Sequence, residues 1–138
     1  MKQFTLITAL FVLFASFRTT DTVKAELYNN KWHLKTIYSK DGAAYIYTNA
    51  FIRFDETKKQ VGGNGSCNSF GGSVTINDDQ LKFGALFSTK MYCDAVQQIE
   101  TDFFAALGKV TRYEIKDNCL LLYQGEKLLL EFAVINDN

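Results

Sequence analysis

The sequence predicts an α+β domain dominated by antiparallel sheet. Three observations carry that expectation. Short segments rich in β-branched and aromatic residues recur along the chain, separated by Gly, Asn and Asp. A single segment, about residues 94–107, sets its apolar residues at helical spacing. That helix falls once, after one run of strands and before another, instead of alternating with strands as a parallel α/β sheet requires.

The elements follow in chain order. Residues 32–38 (WHLKTIY) alternate in part, with Trp32, Leu34 and Ile37 seeking a core. Residues 44–54 (AYIYTNAFIRF) read as one strand. Residues 60–66 are a further strand candidate, weakened by glycine. Residues 73–76 and 80–83 flank Asn77-Asp78-Asp79, a hairpin turn. In the helix, Val96, Ile99, Phe103 and Leu107 share one stripe. Asp94 is expected to cap its first turn, Gln97 to complete a capping-box pattern, and Gly108 to stop it. Residues 111–115, 119–123 and 127–134 then form a meander, turning at Asp117-Asn118 and Gln124-Gly125. The runs Leu120-Leu121-Leu122 and Leu128-Leu129-Leu130 blur the alternation. They fit strands buried on both faces or strands of a closed sheet.

The chain has 138 residues, room for one domain and one core, and shows no repeat, low-complexity tract or linker. With 47% apolar and 22% charged residues it is expected to fold. Its first 25 residues read as an export signal. Lys2 supplies the positive start, residues 4–17 the apolar run, and Val23-Lys24-Ala25 the small residues before a cut at Glu26. The apolar run is 14 residues long, short of the ~20 needed to span a bilayer, so no membrane span is expected after cleavage. No cysteine follows the run, so no lipoprotein anchor is indicated. Cleavage removes three bases and one acid and leaves a domain, residues 26–138, of formal charge −2. Such a domain has no electrostatic attraction to nucleic acid. A monomer in the periplasm or outside the cell is expected.

Residues 61–72 (VGGNGSCNSFGG) resemble a phosphate-binding loop at first sight. The only Gly-Lys in the chain, Gly108-Lys109, is followed by Val110, so no P-loop exists. Gly63-Asn64-Gly65 lacks the third glycine of a dinucleotide fingerprint. Ser66, Ser69 and Ser73 all fail the nucleophile-elbow pattern. Asn64-Gly65-Ser66 fits a glycosylation sequon, relevant only in a eukaryotic secretory route. His33 is the sole histidine and, by alternation, faces away from Trp32 as a surface or rim residue. One histidine and three dispersed cysteines make no zinc pattern, so neither a metal nor a cofactor is expected. The stretch reads instead as a corner of the fold. Its glycines allow positive φ and close packing, Asn68 is suited to a left-handed turn, and Phe70 is the buried anchor.

An oxidising compartment favours paired cysteines, and three leave one over. Spacing alone does not choose the pair. Cys67 and Cys93 both sit at element ends, which favours them slightly. A bond between them would close a loop of 26 residues, worth about 3.5 kcal/mol. Cys119, in a predicted strand, reads as a buried free thiol. The opposing possibility is a reactive thiol at Cys67 or Cys93, the latter activated by a helix N-terminus.

Cys67-Asn68-Ser69-Phe70-Gly71-Gly72 resembles the GCNxFxG signature of the META domain, the HslJ-like heat-shock family. Thr89-Lys90-Met91-Tyr92-Cys93 resembles its second signature, Thr-x-Met-x-Cys. Trp32-His33-Leu34 matches its opening Trp-x-Leu, and Glu100, Phe103 or Phe104, and Leu107 match its helix. The resemblance runs from residue 27 to residue 135. It implies a barrel-like antiparallel sheet with one packed helix, and structural roles for Trp32, Asn68, Phe70, Gly72, Thr89 and Met91. It also implies a bacterial envelope or secreted setting with links to stress, and no catalytic mechanism. Similar folds occur among pilotins that chaperone secretion pores. Ser66 stands where the family usually has Gly, Tyr92 replaces a common Ala, and Cys119 belongs to neither signature.

The expected function is therefore a non-enzymatic exported factor that binds an envelope protein or small ligand. Two alternatives stand beside it: a thiol-dependent redox protein, and a carrier of a small apolar ligand inside a closed sheet. The 12 Phe and 7 Tyr supply rings enough to fill such an interior instead.

Overall fold

A computed structural model describes residues 19–40, 42–45 and 47–134. The apolar run of residues 4–17 lies outside them. Helix α1 (Thr20–Asn29) is followed by β1 (Trp32–Ser39), β2 (Gly42–Tyr45), β3 (Phe51–Asp55), β4 (Gln60–Asn64), β5 (Ser69–Asn77) and β6 (Gln80–Ser88). A single 3₁₀ turn (Asp94–Val96) leads into α2 (Gln97–Leu107), and β7 (Arg112–Lys116), β8 (Cys119–Gln124) and β9 (Lys127–Val134) complete the chain.

The strands form one antiparallel sheet in which β9 returns to pair with β1. Among the described residues β1 and β3 to β9 therefore make a ring, and β2 extends the edge of β1. The closed sheet accounts for the leucine runs. Leu120, Leu122 and Leu130 are fully buried inside the ring, and a bulge at Leu122–Tyr123 places both Leu129 and Leu130 in the core.

Two helices pack against the ring. Phe103 of α2 meets Phe70 of β5 and Phe132 of β9 at ring separations of 5.8 and 6.2 Å. Helix α1 lies near the β3–β4 and β5–β6 turns, with Leu27 fully buried. The indole N–H of Trp32 donates to the Leu27 carbonyl at 3.0 Å, tying α1 to β1. The sequence reading missed α1. Six of its ten residues fall in the stretch read as an export signal, and only Leu27 is buried, with Val23 and Tyr28 partly buried beside it.

Residues 44–54 are not one strand. β2 pairs with the far half of β1, Thr36↔Tyr45 to Ser39↔Gly42, and β3 with its near end, Trp32↔Ile52 and His33↔Phe51. Both lie on one edge of β1 and run in one direction, so a bulged-out loop must separate them. Ala50 carries that loop back, its carbonyl accepting the Leu34 N–H at 3.0 Å.

The expected cap of the helix is also absent: neither Asp94 nor Gln97 makes a side-chain cap bond. Asp94 instead accepts the Tyr92 hydroxyl at 3.0 Å, and the chain enters α2 through the 3₁₀ turn. Gly108 does end the helix, but in the right-handed region at φ −63°. The hairpin turns follow the sequence more closely. Asp78, Asp117 and Asn118 hold φ of 54°, 52° and 60°, and Gly125 holds 57°.

Candidate functional site

The glycine-rich stretch is mostly strand. Gly62 and Gly63 belong to β4, Gly71 and Gly72 to β5, and only residues 65–68 turn between them. Gly72 is required by close approach, since a Cβ there would lie 2.5 Å from the Ala85 carbonyl of β6. Gly65 is required for the same reason by α2, where a Cβ would lie 2.9 Å from Glu100 Oε2. The tip is held by an Asx turn, with Ser66 N–H donating to Asn64 Oδ1 at 2.8 Å.

Positive φ falls on Ser66, at 112°, and not on Asn68 as the sequence suggested. Asn68 has another task. Its Oδ1 accepts the Met91 N–H at 2.7 Å and the Thr89 hydroxyl at 2.8 Å. Its Nδ2 donates to the Met91 carbonyl at 3.0 Å and to Glu100 Oε1 at 2.6 Å. Glu100 Oε2 accepts two backbone N–H groups, from Cys67 at 3.0 Å and Asn68 at 2.6 Å. Asn68 and Glu100 are each 4% exposed, so these bonds are made away from water. Burial by itself would raise the Glu100 pKa. The donors of Asn68 and Cys67, with Lys90 nearby, outweigh it and hold the carboxyl below its ordinary range.

The disulfide joins the same segments. Cys67 and Cys93 are bonded, with Cα atoms 5.9 Å apart, inside the usual range. The turn of residues 65–68, the loop of residues 89–93 and helix α2 are thus fastened at one corner by a covalent bond and a buried amide–carboxylate pair. Phe70 packs beneath them, against Phe104 at 5.3 Å. Trp32 lies apart from this corner, fully buried in β1.

Ser66 occupies a conformation that suits glycine. A strained non-glycine φ costs about 1–3 kcal/mol, partly offset here by the bond from Ser66 Oγ to Thr48 Oγ1 at 3.0 Å. Ser66→Gly is therefore expected to stabilise the domain by about 1 kcal/mol, raising its melting temperature by about 4 °C. A lower melting temperature would show that the hydroxyl bond outweighs the strain.

The remaining candidates lie elsewhere. His33 is half-buried, tilted against Phe51 at 6.0 Å, and borders a surface cleft with Tyr47, Thr48 and Ser66. Cys119 is free but half-buried, a correction to the core position expected for it, because β8 turns that side chain out of the ring. Its thiol pKa is raised by burial and by the nearby carboxylates of Glu131 and Asp117. Among the described residues no three His, Cys, Asp or Glu side chains group as metal ligands do. No helix among them is long and apolar enough to cross a membrane.

The residue missed by composition and spacing alone is the buried role of Glu100. The signal was present: Glu100 lies four residues after Val96 and three before Phe103, on the stripe that faces the core. A carboxylate in a buried register requires partners.

The fastened loop also displays apolar side chains. Met91 is 59% and Tyr92 76% exposed, although the Met91 backbone is gripped on both sides by Asn68. Phe87, at the end of β6, is 73% exposed.

A family model of the META domain matches residues 25–135. Among solved structures, the NMR structure of a protein from Burkholderia xenovorans is similar, with a TM-score of 0.67 and 24% identity, covering 82% of this chain and 88% of that one. A second NMR structure has a TM-score of 0.60 at 17% identity, covering 86% and 96%. The crystal structure of a duf4847 family protein from Bacteroides vulgatus has a TM-score of 0.59 at 15% identity, covering 81% and 96%. At these identities the likeness is one of fold. No curated protein matches the sequence significantly.

Proposed function

The chain belongs to the META domain family, and from that premise we propose that it is an exported, non-enzymatic binding protein of the cell envelope or its surroundings, serving a stress response. The observation that carries the reading is the exposure of Met91 and Tyr92 on a loop whose backbone Asn68 holds. The polar groups of the signature residues Asn68 and Thr89 and of Glu100 bond to one another and to the loop's backbone. What they position toward solvent is apolar. Holding the loop's backbone in advance lowers the ordering cost of binding.

The two alternatives gain less support. A redox thiol at Cys67 or Cys93 must first be released from the disulfide. An apolar carrier needs internal room where Phe70, Phe103 and Phe132 stack edge to face.

Export is supported by the N-terminal sequence alone, because the proposed cut falls inside α1 and would remove six of its ten residues, Val23 among them. The proposed cut before Glu26 would leave Leu27 and its bond to Trp32 in place. It would remove Lys24, whose pair with Glu56 at 2.9 Å is exposed and of the kind that contributes little. Produced in a bacterial host with its leader, the protein is expected outside the cytoplasm with Glu26 as its first residue by intact mass. An uncut cytoplasmic chain would refute the export reading.

Binding is tested by capture from envelope extract. Wild type and His33→Ala should retain the same partner, and Met91→Asp/Tyr92→Asp should lose it. Loss on His33→Ala with the double variant unaffected would move the site to the His33 cleft.

A further inference from the structure

The ring has a breach. β6 pairs with β5 from Asn77↔Gln80 to Phe70↔Ser88, but with β7 only at Gln80↔Arg112. Two more backbone bonds support that junction, Leu81 N–H to Thr111 O at 3.1 Å and Tyr113 N–H to Asp79 O at 2.9 Å. Beyond it, the edge of residues 83–88 that faces away from β5 has no strand partner among the described residues. Proteins ordinarily pair, cover or blunt such an edge, because its free N–H and C=O groups are a template for another strand. Here the edge carries Gly84 and Ala85, both exposed and too small to shield it.

A cleft runs beside this edge. It has a volume of about 340 Å³ and lies between β6 and α2, lined by Gly84, Leu86, Phe87, Ser88, Lys90 and Phe104. Lys90 is its charged side chain, and no carboxylate lines it. Lys90 makes no ion pair within 4 Å among the described residues, and Lys82 is exposed on the same strand. The nearby Glu100 carboxylate is turned to Asn68 and the turn of residues 65–68.

We propose that the open edge of β6 and the cleft beside it form a docking slot for an extended acidic segment of a partner protein, added to the sheet as a further strand. The proposal rests on the binding reading above and names the partner's chemistry. The edge supplies main-chain bonds, the cleft takes an apolar side chain against Leu86 and Phe104, and Lys90 meets a carboxylate. Charge selects this occupant over a second copy of the chain. Two β6 edges paired together would bring Lys82 and Lys90 of each copy onto one strip, and lysine on an edge opposes self-pairing.

The test is a titration of the isotopically labelled, disulfide-bonded protein, followed by backbone amide NMR. Three capped hexapeptides serve as probes: one alternating valine and glutamate, one alternating valine and lysine, and the glutamate peptide N-methylated at alternate residues. The glutamate peptide is expected to shift the amides of residues 83–88 and 104–108 and to slow their hydrogen exchange. It should bind at least about tenfold more tightly than the lysine peptide, and N-methylation should abolish binding. Lys82→Glu and Lys90→Glu should each narrow or reverse the preference, and Lys82→Glu lies on an exposed position where folding is not at stake. Shifts equal for both charges and indifferent to N-methylation would overturn the strand. So would concentration-dependent shifts without peptide, which would assign the edge to a second copy. Absence of peptide shifts while capture still depends on Met91 and Tyr92 would sink this proposal and leave the binding reading standing. Loss of both would sink both.

Discussion

Glu100→Gln is expected to lower stability by about 3 kcal/mol, or about 12 °C in melting temperature, although it changes one atom. The carboxylate accepts three short bonds at 3.0, 2.6 and 2.6 Å. A glutamine offers one acceptor oxygen and one NH₂. If the oxygen takes the N–H groups of Cys67 and Asn68, the NH₂ faces the Asn68 amide, donor against donor. The Asn68 side chain has no relieving flip, because its Oδ1 already serves Met91 and Thr89. Removing one partner of a buried charged network leaves the others desolvated and unpaired.

The same geometry sets a pH dependence. Glu100 has a folded pKa below its unfolded value, so its contribution is present above the unfolded value and disappears as pH falls through the folded one. Wild type should therefore lose stability as pH falls below the ordinary glutamate value of about 4.3 and through the lower folded one, and Glu100→Gln should lose less over the same range. Asn68→Asp should invert the sign. An oxygen would replace Nδ2 at 2.6 Å from Glu100 Oε1, and the two carboxyls would have to share a proton. That variant should be most stable in acid and weaken as pH rises toward 7. Chemical denaturation across pH reads both profiles. Parallel profiles for wild type and Asn68→Asp would show that the pair is not a buried carboxylate clamp.

The parts of the fold that sequence reading reached were those decided locally. The hairpin turns at Asp78 and at Asp117-Asn118 need residues that tolerate positive φ, and such residues stand there. The helix register followed from Val96, Ile99, Phe103 and Leu107, of which Phe103 and Leu107 are fully buried. What escaped was decided across the chain. The division of residues 44–54 into two strands depends on where β1 accepts partners, a fact of register between distant segments. The special backbone position at Ser66, in place of Asn68, depends on Asn68 being drawn inward by Glu100, 32 residues away. The Asp94 cap failed because Cys93 is tethered to Cys67 and Asp94 accepts the Tyr92 hydroxyl in a 3₁₀ turn. Propensity proposes such local solutions, and a cross-link can override them.

Loss of the disulfide should cost about 3.5 kcal/mol by chain entropy for a 26-residue loop, the largest single effect expected in this domain. Reduction, or Cys67→Ser/Cys93→Ser, should lower the melting temperature by about 14 °C. The bond and the Asn68–Glu100 clamp fasten the same three segments, and Cys67 itself donates its N–H to Glu100. Their effects should therefore not add. With the disulfide gone, the turn of residues 65–68 gains freedom that already weakens the clamp, so Glu100→Gln should cost less than in the oxidised protein. A coupling energy of about 1 kcal/mol or more is expected from the cycle of the two changes. Thiol counting keeps the cycle interpretable. The oxidised wild type should accept one alkylating label in denaturant, at Cys119, and slowly when folded because burial raises that thiol's pKa. The reduced chain should accept three. Strict additivity would mean that cross-link and clamp brace separate parts of the corner. In that case the rigidity of the Met91–Tyr92 loop would rest on Asn68 alone, and reduction would leave its amide exchange unchanged.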